Sequence, residues 1–145
     1  MIQRIQSLFL LLSGVGTLSL FQFPFANTDS QVEESALFAD GIYNVLDHIA
    51  LIAVFSLAGL LAITAVFLFK NRKLQANLSL GSIAANIAGV ILTVLLFMQD
   101  SVTEQSGIDD GIGAYLPFVG ILCAALGVRF IRKDEKLVRS MDRLR

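Results

Sequence analysis

Long apolar runs and short charged clusters alternate along this chain, and the run lengths set its architecture. No charged residue falls between Arg4 and Asp29, so residues 5–28 form one uncharged run. Residues 49–69, 74–99 and 111–128 form three more, closed by Lys70, Asp100 and Arg129. A helix crossing a bilayer needs about 20 mostly apolar residues at roughly 1.5 Å each. The runs are continuous rather than alternating, which suits helices and not the period-two strands of a membrane barrel. The pattern predicts an all-α integral membrane four-helix bundle. Its spans are placed at about 5–25, 49–69, 75–98 and 112–130, giving a membrane domain over 1–128 and a basic tail over 129–145.

Two local features refine the spans. The apolar part of the first run exceeds the 7–15 residues of a signal peptide, and Pro24 and Phe25 precede the one plausible cleavage point, so this helix is expected to be retained. Pro117 lies inside the fourth run, and a helix starting there is too short to cross before Arg129. The pattern therefore predicts a helix starting near Ile112 and kinked at Pro117.

Charge decides the orientation. All 11 Lys and Arg residues fall at Arg4, in Lys70–Lys73 or in the tail from Arg129 onward, which is one side of the bundle. The other side holds Asp29, Glu33, Glu34, Asp40, Asp47, Asp100, Glu104, Asp109 and Asp110 and no base. The positive-inside rule then places both termini in the cytoplasm. Tyr43 and Tyr115 fall near the outer boundary, where aromatic belts form. The acidic loop over residues 26–42 has room for one short interfacial helix.

Composition agrees. Over 145 residues, 55% are hydrophobic and 16% charged, and the mean hydropathy is +0.72, more apolar than a soluble domain of this size can bury. One cysteine, Cys123, and one histidine, His48, exclude disulfides, cysteine metal clusters and every motif that needs a histidine pair. The outer acids lack the alternating ligand spacing of a calcium loop. No metal site and no cofactor are implied. Gly14-Val15-Gly16 lies within a membrane run and is no nucleotide loop, and no run carries a carboxylate in its body, so no catalytic constellation emerges and an enzyme is not expected.

What remains is packing and polarity. Gly81, Ala85 and Gly89 repeat every four residues, and Gly120 and Ala124 do the same, so the third and fourth runs carry small-residue stripes that let helices approach closely. Ser82 and Asn86 adjoin the first stripe, and Asn86 near mid-membrane is expected to hydrogen-bond across helices. Asn44, Asp47 and His48 with Asn86 make a possible polar path, against the plainer reading that Asp47 favours the start of the second helix and His48 is a wet boundary residue. In the tail, Phe130, Leu137, Val138, Met141 and Leu144 recur at helical spacing among seven bases and three acids. They predict an amphipathic C-terminal helix that docks on anionic lipid headgroups or a cytoplasmic partner. Nucleic acid is not an expected partner.

The two ends, Met1-Ile2-Gln3-Arg4-Ile5-Gln6-Ser7 and the segment from Lys133-Asp134-Glu135-Lys136-Leu137 to Arg145, with four runs between them, resemble a bacterial membrane family catalogued as domain of unknown function 4293. That resemblance implies a multi-pass protein of the bacterial inner membrane with an uncleaved first helix, and it carries no activity and no site residue. The reading that follows is a non-enzymatic scaffold or accessory subunit, partnered by another membrane protein or by a second copy. The alternative is a small oligomeric transporter or channel, for which a polar cavity from Asp47 to Asn86 is the discriminating feature.

Overall fold

A computed structural model describes residues 2–28, 37–100 and 107–142. Helix α1 (Ile2–Leu18) continues into a 3-10 turn at Ser19–Phe21 and leads to strand β1 (Ala26–Thr28). Strand β2 (Ile42–Tyr43) and a 3-10 turn at Val45–Asp47 precede α2 (Ile49–Phe67), which is followed by α3 (Arg72–Gln99). Strand β3 (Ile108–Asp110) and a third 3-10 turn at Ile112–Ala114 lead into α4 (Leu116–Asp142). Helices α2 and α3 and the stretch Ile112–Val138 are each long and apolar enough to cross a membrane, while Ile5–Phe21 is a shorter apolar helix.

Each helix packs on its two sequence neighbours, with α1 closing the ring against α4. Adjacent helices run antiparallel, as the pairing of Arg72 at the start of α3 with Asp134 near the end of α4 requires. The buried residues along the centre of the bundle follow an alternating spacing of four and three, with Gly14, Gly59, Ala76, Pro117 and Val128 buried beside them. In α1 they are Gln6, Leu10, Ser13, Thr17 and then Leu20, and in α2 Leu51, Phe55, Ala58, Ala62 and Ala65. In α3 they are Gln75, Ser79, Ser82, Asn86 and Gly89, and in α4 Gly120, Ala124, Gly127 and Ile131. That 3.5-residue period is the seam of helices wound closely around one another. Diagonally opposite α1 and α3 supply polar groups, whereas α2 and α4 supply mostly alanine, glycine and a few large apolar residues.

Three short strands, absent from the sequence expectation, add a sheet of order β2-β1-β3 to the helical fold. Both pairings are antiparallel, with Ala26 opposite Tyr43 on one side and Asp110 on the other. Gly41, at φ 80°, makes the left-handed turn into β2 that a side chain disfavours. Beneath the sheet, Leu20, Phe25, Phe38, Tyr43, Val45, Leu51 and Phe55 form the larger apolar core and close this end of the bundle. Residues 29–36 lie outside the described residues, so the interfacial helix expected in that loop is not addressed, and neither are the acids Asp29, Glu33, Glu34 and Glu104.

Pro117 departs from expectation. It is the second residue of α4, where a missing N–H costs nothing, and the helix starts there because the preceding 3-10 turn covers the level expected for helix. No kink is needed, since α4 gains its length at the other end by running unbroken through Arg129 to Asp142.

Candidate functional site

The middle of the seam is a set of hydrogen bonds between helices. Ser13 Oγ donates to the Gly120 carbonyl at 2.7 Å, joining α1 to α4. Ser82 Oγ donates to the Ala58 carbonyl at 2.8 Å, joining α3 to α2. Thr17 Oγ1 donates to Asn86 Oδ1 at 3.2 Å across the diagonal, and the Asn86 amide donates to the Ser82 carbonyl at 3.0 Å. Asn86 is fully buried and tied to α1. Deeper toward the termini, Gln6 and Gln75 are fully buried, and their amides have no hydrogen-bonding partner among the described residues.

The small residues divide between the seam and its margin. Gly89 faces Phe55, whose ring lies 2.6 Å from where a Cβ would stand. Gly120 faces Thr17 at 2.7 Å in the same sense, and Ala124 is fully buried. Gly81 is half-buried with room for a methyl 3.4 Å from Leu61, and Ala85 is half-buried beside it. The polar repeat Gln75-Ser79-Ser82-Asn86 occupies the centre instead. Its four-three spacing was readable in the sequence, as was Gln6-Ser13-Thr17 in α1.

At the sheet end, the Asn44 backbone N–H donates to Asp47 Oδ2 and completes a capping box over the 3-10 turn. His48 is the N-cap of α2, its Nδ1 accepting from the Ala50 N–H at 3.2 Å. Tyr43 sits on a strand, so it and Asn44 do not share a helical face with Asp47 and His48. Burial raises the Asp47 carboxyl above its ordinary value, the Asn44 N–H opposes that, and the Asp40 carboxylate adds to it. Between these residues and Asn86 the interior is filled by Leu20, Leu51 and Phe55, all fully buried.

Tyr43 is 1% exposed and therefore not part of a lipid-facing belt, unlike Tyr115 at 60%. Its ring packs against Phe25, Phe38 and Phe97, and its hydroxyl donates to the Thr93 carbonyl at 3.1 Å. Burial pushes that hydroxyl far above the usual tyrosine range, with the Asp47 and Asp100 carboxylates reinforcing the shift and the Thr93 side chain opposing it. The group stays a donor. Tyr43→Phe keeps the ring and deletes one partly buried bond, so it is expected to cost about 1 kcal/mol, read as a lowered Tm in detergent.

A crevice of about 240 Å³ opens where α4 begins. The pairs Arg72–Asp134 and Asn86–Gly120 set the register of α3 against α4, and by that register Leu116 lies level with Val90. Above that level α3 has, among the described residues, no α-helical neighbour on this side and faces the sheet and the 3-10 turn instead. Val90, Thr93, Val94 and Phe97 form one wall, Ala114, Pro117 and Phe118 the other, and Phe25, Tyr43, Ile108 and Asp110 close it. Sequence reading missed this feature because it depends on strands of two and three residues.

At the opposite end, Phe130 stacks on Phe9 with centroids 5.5 Å apart, and Arg72 pairs with Asp134 at 3.2 Å, so the first turns of the tail are held by α1 and α3. Ala125 and Val128 with Arg129, Arg132, Lys133 and Lys136 line a shallow basic groove. Leu137 and Val138 are exposed, while the side chain of Met141 and all of Leu144 lie outside the described residues.

One family model, described as Domain of unknown function (DUF4293), matches residues 2–144, the family that the two ends of the chain resemble. No curated protein and no solved structure matches the chain.

Proposed function

The chain belongs to that family of unknown function, and from its geometry we propose that it is a non-enzymatic scaffold or accessory subunit of a bacterial inner-membrane complex. The observation that carries this reading is the closed seam. Ser13, Thr17, Ser82 and Asn86 spend their hydrogen bonds on neighbouring helices, and Leu20, Leu51 and Phe55 fill the level where a path toward Asp47 and His48 would run. Such an interior holds helices together and moves nothing through itself.

In this reading α1 is the fourth span. It packs between α2 and α4 and turns Leu8, Leu11, Leu12 and Val15 outward, as a lipid-facing helix does. Both termini are cytoplasmic, because every base lies at the end that carries them. The groove of Arg129, Arg132, Lys133 and Lys136 supports docking of the tail on anionic headgroups, at about 1 kcal/mol for each base near the surface. Exposed Leu137 and Val138 add an apolar contact for the leaflet or for a partner protein.

Single cysteines in a Cys123→Ala background test the topology. Gln31→Cys and Gln105→Cys should react with an impermeant maleimide from outside, and Lys73→Cys only after the membrane is opened. Reaction of Lys73→Cys from outside alone overturns the orientation. The tail is tested by Leu137→Ser with Met141→Ser, which keeps every base. Docking predicts faster proteolysis after Arg132 and loss of copurifying membrane proteins; an unchanged digest and an unchanged set of partners reject it.

A further inference from the structure

The crevice between the start of α4 and the far end of α3 has a physical origin that also selects its occupant. Helix α3 stays uncharged from Leu74 to Gln99, so in the membrane reading its last turns face lipid as far as the outer boundary, and Met98 at its end is 69% exposed. Because α4 begins level with Val90, the wall from Val90 to Phe97 extends about 10 Å along the helix axis with no helix beside it among the described residues. Val94 and Phe118, one from each side, are 49% and 52% exposed, so the mouth opens at the side of the bundle, where the membrane reading puts lipid. A long, narrow, apolar slot at that depth is shaped for an alkyl chain.

Its upper rim is charged. Asp110 lies in the lining and Asp109 beside it in β3, both exposed. Residues 5–69 and 74–128 contain no Lys or Arg, so no base from any element near the rim offsets these carboxylates. An anionic headgroup above the slot meets like charge, whereas an ammonium headgroup meets opposite charge. We propose that the crevice is a lipid site, holding one acyl chain of a bilayer lipid whose amine-bearing headgroup, of the phosphatidylethanolamine type, rests against Asp110.

The proposal rests on the membrane reading above, and the experiment separates the two. The full chain is reconstituted into vesicles of phosphatidylethanolamine and phosphatidylglycerol, with a trace of one or other lipid carrying a photoreactive acyl chain. Flotation with the vesicles reports membrane insertion; failure to float sinks the membrane reading itself. In floated protein, photolysis should label Val90–Phe97 and Phe118 several-fold more than Leu57 and Leu60 on the lipid-facing side of α2. Ala114→Phe fills the slot and should bring that labelling down to the α2 level with Tm unchanged; Val90→Phe does the same from the other wall if the first variant fails to fold. The amine lipid should label a few-fold more than the glycerol lipid, and Asp110→Asn should narrow that gap. Uniform labelling of α2 and α3, or labelling undiminished by a folded filling variant, overturns the acyl-chain site. Equal labelling by the two lipids overturns the headgroup assignment.

Discussion

Gly113→Ala, the addition of one methyl, is expected to detach the sheet from the helices at a cost of about 3 kcal/mol, combining overpacking with lost backbone hydrogen bonds. Gly113 is buried in the 3-10 turn before α4, and its N–H donates to the Pro24 carbonyl at 2.9 Å. A Cβ there would stand 2.5 Å from the carbonyl oxygens of both Phe23 and Pro24. Those atoms are backbone, and the ring of Pro24 stiffens the segment, so no flexible side chain is available to move aside. The turn must retreat from β1, and with it go the Gly113 bond and the neighbouring bond from the Gly111 N–H to the Phe25 carbonyl at 2.8 Å. The pairing of Ala26 with Asp110 then loses its anchor. Thermal unfolding in detergent checks the magnitude, and amide exchange at residues 26–28 and 108–110 checks the location. Ile112→Ala, one residue away and 64% exposed, is expected to stay within about 0.5 kcal/mol of the parent. A Gly113→Ala protein that melts with the parent removes the close approach as an explanation of this glycine.

The helices were legible and the cap was not, for reasons that lie in how much chain each feature occupies. A span writes itself over some twenty consecutive residues, so the runs 49–69 and 74–99 translate directly into α2 and α3. Strands β1 and β2 occupy three and two residues, and pairing between segments far apart leaves no periodic trace. Tyr43 shows the consequence: position alone suggests a boundary tyrosine, yet as a residue of β2 it turns its ring into the apolar core beneath the sheet. Pro117 shows another, since its place in the first turn of α4 follows from a 3-10 turn that only the sheet makes necessary. For the packing stripe, the small-residue repeat Gly81-Ala85-Gly89 keeps a regular spacing of four. The buried line alternates four and three, and it runs through the polar residues next to that repeat. In a bilayer polarity is the stronger marker of an inward face, because an asparagine turned to lipid leaves its amide short of partners and a hydroxyl there can bond only its own helix, as Thr64 does with the Leu60 carbonyl.

Gly120→Ala is expected to cost about 2 kcal/mol by forcing α1 and α4 apart, and a second substitution can show that this is the cause. At Gly120 a Cβ would lie 2.7 Å from Thr17 Oγ1 and 3.8 Å from Asn86 Oδ1, so the new side chain enters the place where the Thr17–Asn86 hydrogen bond is made. Ser13 on the same face of α1 donates to the Gly120 carbonyl at 2.7 Å, so the backbones are held close from both sides. Widening the gap lengthens that bond and breaks the diagonal one. Gly16→Ala is the control: a Cβ there meets nothing within 4 Å, and alanine is the better helix former, so this variant should melt at or slightly above the parent. The decisive measurement is a double-mutant cycle with Thr17→Ala. Removing the threonine alone leaves Asn86 without its cross-helix donor and is destabilising, but it also clears the atom that the new side chain would strike. The pair Gly120→Ala and Thr17→Ala should therefore cost less than the two single changes added together, since residues in contact do not act independently. Strict additivity, or a Gly16→Ala loss as large as that of Gly120→Ala, means that glycine at 120 is tolerated rather than required and that the helices are set apart by other contacts.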